Sequence, residues 1–149
     1  MSEALKVNVI LMAEDDLDDQ LLAQDALAEC GLDAELRFVK DGAQLMDYLH
    51  RRNGFGDVKN SPRPALILLD LNMPRKDGRE ALREIKADPE LKRIPVVVLT
   101  TSKADSDIAS TYELGASSFI SKPTAFDALV NVMKAIDGYW FGAVLLSRR

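Results

Sequence analysis

At 149 residues, with 47% hydrophobic and 29% charged residues, the chain has the length and composition of one soluble globular domain. Nineteen Lys and Arg against 24 Asp and Glu give a net charge of −5, which argues against a nucleic-acid binder, since that needs a basic face. A single Cys (Cys30) and a single His (His50) exclude an internal disulfide and a Cys/His zinc cluster, and the apolar runs fall far short of the roughly 20 residues of a membrane span.

In chain order, residues 7–13 (VNVILMA) predict a strand that runs directly into acids, without the pattern of a cleavable signal. Residues 17–29 place Leu21, Leu22 and Leu27 at helical spacing. Cys30 follows, before Gly31, and reads as a buried thiol at the end of that helix. A second strand is expected over 35–39 and a helix over 42–52, with Leu45, Tyr48 and Leu49 on one side and His50 reading as a surface imidazole beside Arg51 and Arg52. The connection 51–64 (RRNGFGDVKNSPRP) is long and rich in Gly, Pro and Asn, as a surface insertion would be. Strands then follow over 65–69 (ALILL), 95–99 (PVVVL) and 118–121, and helices over 78–87, 106–114 and 125–138. The densest strands are Val, Ile and Leu almost without alternation, as strands buried on both faces are. Five strands alternating with five helices imply a parallel sheet covered on both faces.

In an open parallel sheet, ligands bind beyond the carboxyl ends of the strands. The first strand ends in Glu14, Asp15 and Asp16, the third in Asp70 followed by Asn72, the fourth in Thr100, Thr101 and Ser102, and the fifth in Lys122-Pro123. Brought to one edge, these form a shallow site of several carboxylates, a hydroxyl and an ammonium. Carboxylates about 4 Å apart repel by several kcal/mol at a moderate effective dielectric, so the cluster calls for a hard divalent cation, and oxygen ligands with room for water suit Mg²⁺ best. Acids also favour a helix N-terminus through the macrodipole. That accounts for Asp16, Asp18 and Asp19 but not for Asp70, which ends an apolar strand.

The segments MAEDD, LILLDLNMPRKDG, PVVVLTTS and FISKP, in that order, resemble a two-component response-regulator receiver domain over roughly residues 7–137. Asp70 precedes Thr100 by 30 residues and Thr100 precedes Lys122 by 22, spacings usual in that family. The run from Ser61 to Ser102 most resembles regulators paired with phytochrome-type histidine kinases. The resemblance implies a flavodoxin-like α/β fold, a five-stranded parallel sheet in the order 2-1-3-4-5, with residues 1–138 as the receiver and 139–149 as a C-terminal extension. It makes Asp70 the phosphoacceptor, and Asp15, Asp70 and the Asn72 main-chain carbonyl the Mg²⁺ ligands, with Glu14 reaching the ion through water. Thr100 would hydrogen-bond the phosphoryl group, Lys122 would pair with it, and Phe119 would be the switch aromatic. A cis bond is expected at Lys122-Pro123. Glu at 14 and Thr at 101 are the departures from the common pattern.

The implied partners are a sensor histidine kinase, such as a bacteriophytochrome, and a downstream phosphotransfer protein. Neither nucleic acid nor membrane is expected, and the location is expected to be cytoplasmic. Only 12 residues follow Asp137, so no effector domain is expected, and the apolar segment YWFGAVLLSRR favours a homodimer. Three alternatives are less favoured. An aspartate-nucleophile phosphatase of the haloacid-dehalogenase kind places its nucleophile early, in an Asp-x-Asp pattern, with its other acids late. An FMN-binding flavodoxin does not tolerate EDDLDD after its first strand. A purely scaffolding receiver has no need of the complete acid, Thr and Lys set.

Overall fold

The computed structural model describes residues 8–31, 34–57, 61–73, 76–101, 104–123 and 125–139. Strands β1 (Asn8–Ala13), β2 (Ala34–Val39), β3 (Leu66–Leu69), β4 (Val96–Thr100) and β5 (Ser118–Ser121) alternate with helices α1 (Leu17–Cys30), α2 (Gly42–His50), α3 (Gly78–Ala87), α4 (Asp105–Glu113) and α5 (Phe126–Ile136). A short 3-10 turn, Leu91–Arg93, leads into β4. The strands form one parallel sheet in the order β2-β1-β3-β4-β5, as expected.

The two-residue period of a strand divides the core into two layers. Ile10 and Met12 of β1, Leu66 and Leu68 of β3, and Val97 and Leu99 of β4 pack under Ala23, Ala26 and Leu27 of α1 and Leu129, Val130, Met133 and Ile136 of α5. Leu11 and Ala13, Ile67 and Leu69, and Val96 and Val98 point the other way, against Leu45 and Met46 of α2 and Ala81, Leu82 and Ile85 of α3. The unbroken apolar runs of β1, β3 and β4 are therefore the signature of a sheet covered on both faces.

Local chemistry sets the helix ends. The Asp16 carboxylate caps α1 by accepting the N–H groups of Asp18 and Asp19 at 2.8 and 3.1 Å. Gly31 closes the same helix at φ 68°, a left-handed conformation that costs glycine nothing. Cys30 is half-buried rather than buried, its Sγ donating to the Val130 carbonyl at 3.4 Å. His50 is exposed. The expected apolar extension lies outside the described residues except for Tyr139, which is exposed.

Candidate phosphoryl and metal site

Register places the site. Ala13 pairs with Leu69 and Leu69 with Val98, while β4 and β5 run on two residues to the Thr100–Ser121 pair, so the carboxyl ends of β1, β3, β4 and β5 lie along one edge of the sheet. Main-chain bonds carry that alignment one residue past the strands. Glu14 N–H donates to Val39 O (2.9 Å), Asp70 N–H to Ala13 O (3.2 Å) and Lys122 N–H to Thr100 O (2.7 Å). The side chains of Glu14, Asp70, Thr100 and Lys122 therefore project from adjacent strand ends.

Asp70 sits at the centre and is buried, with 7% of its surface exposed. Its Oδ1 accepts the fully buried Thr100 hydroxyl at 2.9 Å and the Asn72 N–H at 3.2 Å, while its Oδ2 accepts from the Lys122 ammonium at 3.2 Å. Lys122 also donates to Glu14 Oε1 and, at 3.2 Å, to Asp19 Oδ2. Burial works against the Lys122 charge, but the hydrogen bond to Glu14 and the charges of Asp70 and Glu14 outweigh it and raise the lysine pKa above its ordinary value. Glu14 is almost wholly buried, and that burial pushes its carboxyl above the usual range despite the lysine. Gln20 fixes the turn after β1, its Nε2 donating to Glu14 O at 2.7 Å.

One carboxylate oxygen from each of Glu14, Asp15 and Asp70 lies within 4.8 Å of the other two. Three hard oxygen donors, two buried and one exposed to water at Asp15, fit a divalent cation that keeps part of its hydration shell. A single ammonium cannot neutralise such a set, and a cation at the convergence does.

Two glycines shape the loop that carries Asn72. A Cβ on Gly78 would lie 2.5 Å from the Asp70 carbonyl oxygen and 2.8 Å from Leu71 Cα, and the Gly78 N–H donates to Leu71 O at 3.1 Å. A Cβ on Gly42, at the start of α2, would lie 2.2 Å from the Lys76 carbonyl oxygen, which accepts the Gly42 N–H at 3.0 Å. The loop is thus seated on backbone at both ends.

Among the expected site residues, Glu14, Asp15, Asp70, Thr100 and Lys122 come together, and Asn72 contributes its N–H to Asp70. Phe119 is half-buried on β5 beside the α2/α3 layer, and its N–H donates to the Tyr112 hydroxyl of α4 at 3.1 Å. The Lys122-Pro123 bond is trans, since no cis peptide occurs among the described residues; trans is the form that X-Pro bonds favour by about 0.5–1 kcal/mol. Ser102 lies outside the described residues. Asp19, assigned from sequence only to the helix dipole, instead reaches Lys122. Nothing in the local sequence marks Gln20, Gly42 or Gly78 for these roles.

Comparison with known proteins places this arrangement. Residues 10–134 match the response regulator receiver domain family. The response regulator Rcp1 of Synechocystis sp. is 45% identical over 138 residues, covering 93% of this chain and 92% of that protein. The crystal structure of the phosphorylated cyanobacterial phytochrome response regulator RcpA superposes with a TM-score of 0.88 at 42% identity, covering 96% of this chain and all of that one. The Mn²⁺-bound form of Rcp1 superposes with a TM-score of 0.84 at 43% identity, covering 95% and 99% of the two chains.

Proposed function

This chain belongs to the response regulator receiver domain family, and from that premise we propose that Asp70 is its phosphoacceptor, taking the phosphoryl group from a phosphohistidine of a sensor histidine kinase. One observation carries the assignment. Asp70 is the buried carboxylate on which the Thr100 hydroxyl and the Lys122 ammonium converge, beside the carboxylates of Glu14 and Asp15.

In the transfer, an Asp70 carboxylate oxygen attacks phosphorus. A P–O bond forms, the P–N bond to the histidine breaks, and the imidazole leaves with the electron pair. Thr100 donates its hydroxyl proton to a phosphoryl oxygen and Lys122 pairs with another, so two positioned donors meet the charge that arrives. Glu14, Asp15, Asp70 and the Asn72 main-chain carbonyl would hold a divalent ion, for which Mg²⁺ suits the oxygen donors; bound there, it supplies neutralising charge for the transferring group. The acyl phosphate adds nearly two negative charges next to Thr100 and Lys122. That redistributes contacts along β4 and β5 toward Phe119 and the α4/β5/α5 face, through which protein partners read the state. The chain is thus a signalling phosphoacceptor that promotes its own phosphorylation and dephosphorylation.

The likeness to RcpA supports a phytochrome-type kinase as donor, and the receiver of the signal in this reading is a downstream phosphotransfer protein. The location in this reading is cytoplasmic; no helix among the described residues is long and apolar enough to cross a membrane. The domain spans residues 1–138. The aromatic and apolar segment 139–149 supports a homodimer, which light scattering at micromolar concentration, with and without phosphorylation, tests directly: a monomer in both states refutes it.

Intact mass after incubation with acetyl phosphate and Mg²⁺ tests the central assignment. One phosphoryl group is expected on the wild type, and none without Mg²⁺ or on Asp70→Asn. An adduct that persists on Asp70→Asn refutes Asp70 as the acceptor.

A further inference from the structure

Lysine carries three N–H donors and no acceptor. Around Lys122 three carboxylates take them: Glu14, Asp70 at 3.2 Å and Asp19 at 3.2 Å. Glu14 and Asp70 belong to the converging metal set, and Asp19 does not. It stands in the first turn of α1, and its side chain is 37% exposed, against 1% for Glu14 and 9% for Asp70.

We propose that Asp19 is a positioning residue for the phosphoryl group. It holds Lys122 toward α1 in the unphosphorylated protein and competes with the phosphoryl oxygens for the third donor. The inference rests on the reading of Asp70 as phosphoacceptor. With its three donors taken, Lys122 reaches a new oxygen on Asp70 only by releasing one of them. The bond to Glu14 joins two groups with almost no access to water, so breaking it strands a buried charge. Asp19 has water at hand to solvate the carboxylate it frees, so it is the partner that yields.

The first turn of α1 supplies its own control. Asp16 is committed to the helix cap, while Asp18, adjacent to Asp19 and exposed, has no bond to Lys122. Asp18→Asn therefore removes the same charge from the same turn without touching the lysine.

The test measures beryllium fluoride affinity at saturating Mg²⁺, and the lifetime of the adduct formed with acetyl phosphate, in the wild type, Asp19→Asn and Asp18→Asn. Asp19→Asn is expected to bind beryllium fluoride about two- to fivefold more tightly, the range spanned by releasing one partly exposed ion pair, and to keep its adduct longer. Asp18→Asn is expected to match the wild type. Wild-type affinity in Asp19→Asn overturns the proposal, and so does an equal gain in Asp18→Asn, which would make the effect one of overall charge. Weaker binding in Asp19→Asn overturns it too, because Asp19 would then support Lys122 rather than compete for it. Circular dichroism verifies folding, and Asp19→Ser replaces Asp19→Asn if that variant is unfolded. A wild type that takes neither beryllium fluoride nor phosphoryl group removes the phosphoacceptor reading and this inference with it. An adduct on Asp70 that is indifferent to Asp19 removes this inference alone.

Discussion

Replacing Asp70 by Asn without metal present should make the protein more stable, although it deletes the ion pair with Lys122. The Asp70 carboxylate lies within 4.8 Å of those of Glu14 and Asp15. At an effective dielectric of 20 the repulsion from Glu14 is about 3.5 kcal/mol, and that from exposed Asp15 is roughly half as much after solvent screening. Lys122 at 3.2 Å returns about 5 kcal/mol of attraction on the same scale. The Coulomb contributions nearly cancel, which leaves the cost of keeping an ionised carboxylate at 7% exposure, several kcal/mol before relaxation. An amide at the same position keeps an oxygen for the Thr100 hydroxyl and the Asn72 N–H and sheds most of that cost. A net gain of about 1–3 kcal/mol is expected, and at about 2–4 °C per kcal/mol for a chain of this size the melting temperature rises by roughly 2–12 °C. Thermal unfolding in EDTA, followed by circular dichroism, measures it. Saturating Mg²⁺ should then raise the wild type by about 2–3 kcal/mol at 100-fold over Kd, and the variant by less. An unchanged or lower melting temperature for Asp70→Asn in EDTA would refute the charge balance assigned to this cluster.

Gly78→Ala should destabilise by about 1–3 kcal/mol through backbone overpacking, because its Cβ meets the main chain of Asp70 and Leu71, and it should weaken Mg²⁺ binding as well; titration calorimetry with wild-type Mg²⁺ affinity would count against that coupling. Leu68→Ala, at a fully buried position under α1 and α5, should cost about 2–5 kcal/mol in guanidinium unfolding and leave acetyl phosphate uptake intact at temperatures where the variant is folded. Arg79 joins the start of α3 to α4, with Nη2 2.8 Å from Asp107 Oδ1 and Nη1 3.1 Å from Asp77 Oδ2. Arg79→Gln should cost about 0.5–1 kcal/mol and selectively raise amide hydrogen exchange in α4, whose only buried residue is Thr111; uniform exchange across the chain would contradict it.

What could be read from the chain beforehand follows from how far each signal travels. The apolar runs in β1, β3 and β4 announce doubly buried strands because burial on both faces leaves no room for polar alternation. Glu14, Asp70 and Lys122 were legible as a group because parallel strands align their ends, so the residue following each strand lands beside the others. β4 lies one residue further along the chain than the expected 95–99. Thr100 looks polar, yet its carbonyl accepts the Lys122 N–H and its hydroxyl is consumed by Asp70, so it pairs as strand and is wholly buried. Asp19 was misjudged because position in a first turn says nothing about rotation of the helix, which is set by the packing of α1 against α5 and β2. Gly42 and Gly78 carry no local signal either, since what requires them is backbone arriving from elsewhere in the chain or from across a loop.

Metal dependence follows from a count of charges at the sheet edge. Glu14, Asp15, Asp19 and Asp70 bring four carboxylates to within reach of one another or of Lys122, the one ammonium bonded to this set among the described residues. The set carries a net charge of −3 when ionised, and a phosphoryl donor is itself an anion, so the two repel at the distance where the new bond must form. A divalent cation held by Glu14, Asp15 and Asp70 would reduce the imbalance to −1, leaving Lys122 to exchange Asp19 for the incoming oxygens. On this account the site is built one cation short in its resting state, with an excess of acid that its single lysine cannot balance. Burial raises the carboxyl of Glu14, the charge of Asp70 adds to that in a smaller measure, and Lys122 works against both. The excess also makes the removal of Asp15 or Asp70 favourable to stability and unfavourable to metal binding. That opposition separates a phosphoacceptor site from an ordinary buried ion pair, where loss of either partner destabilises the fold.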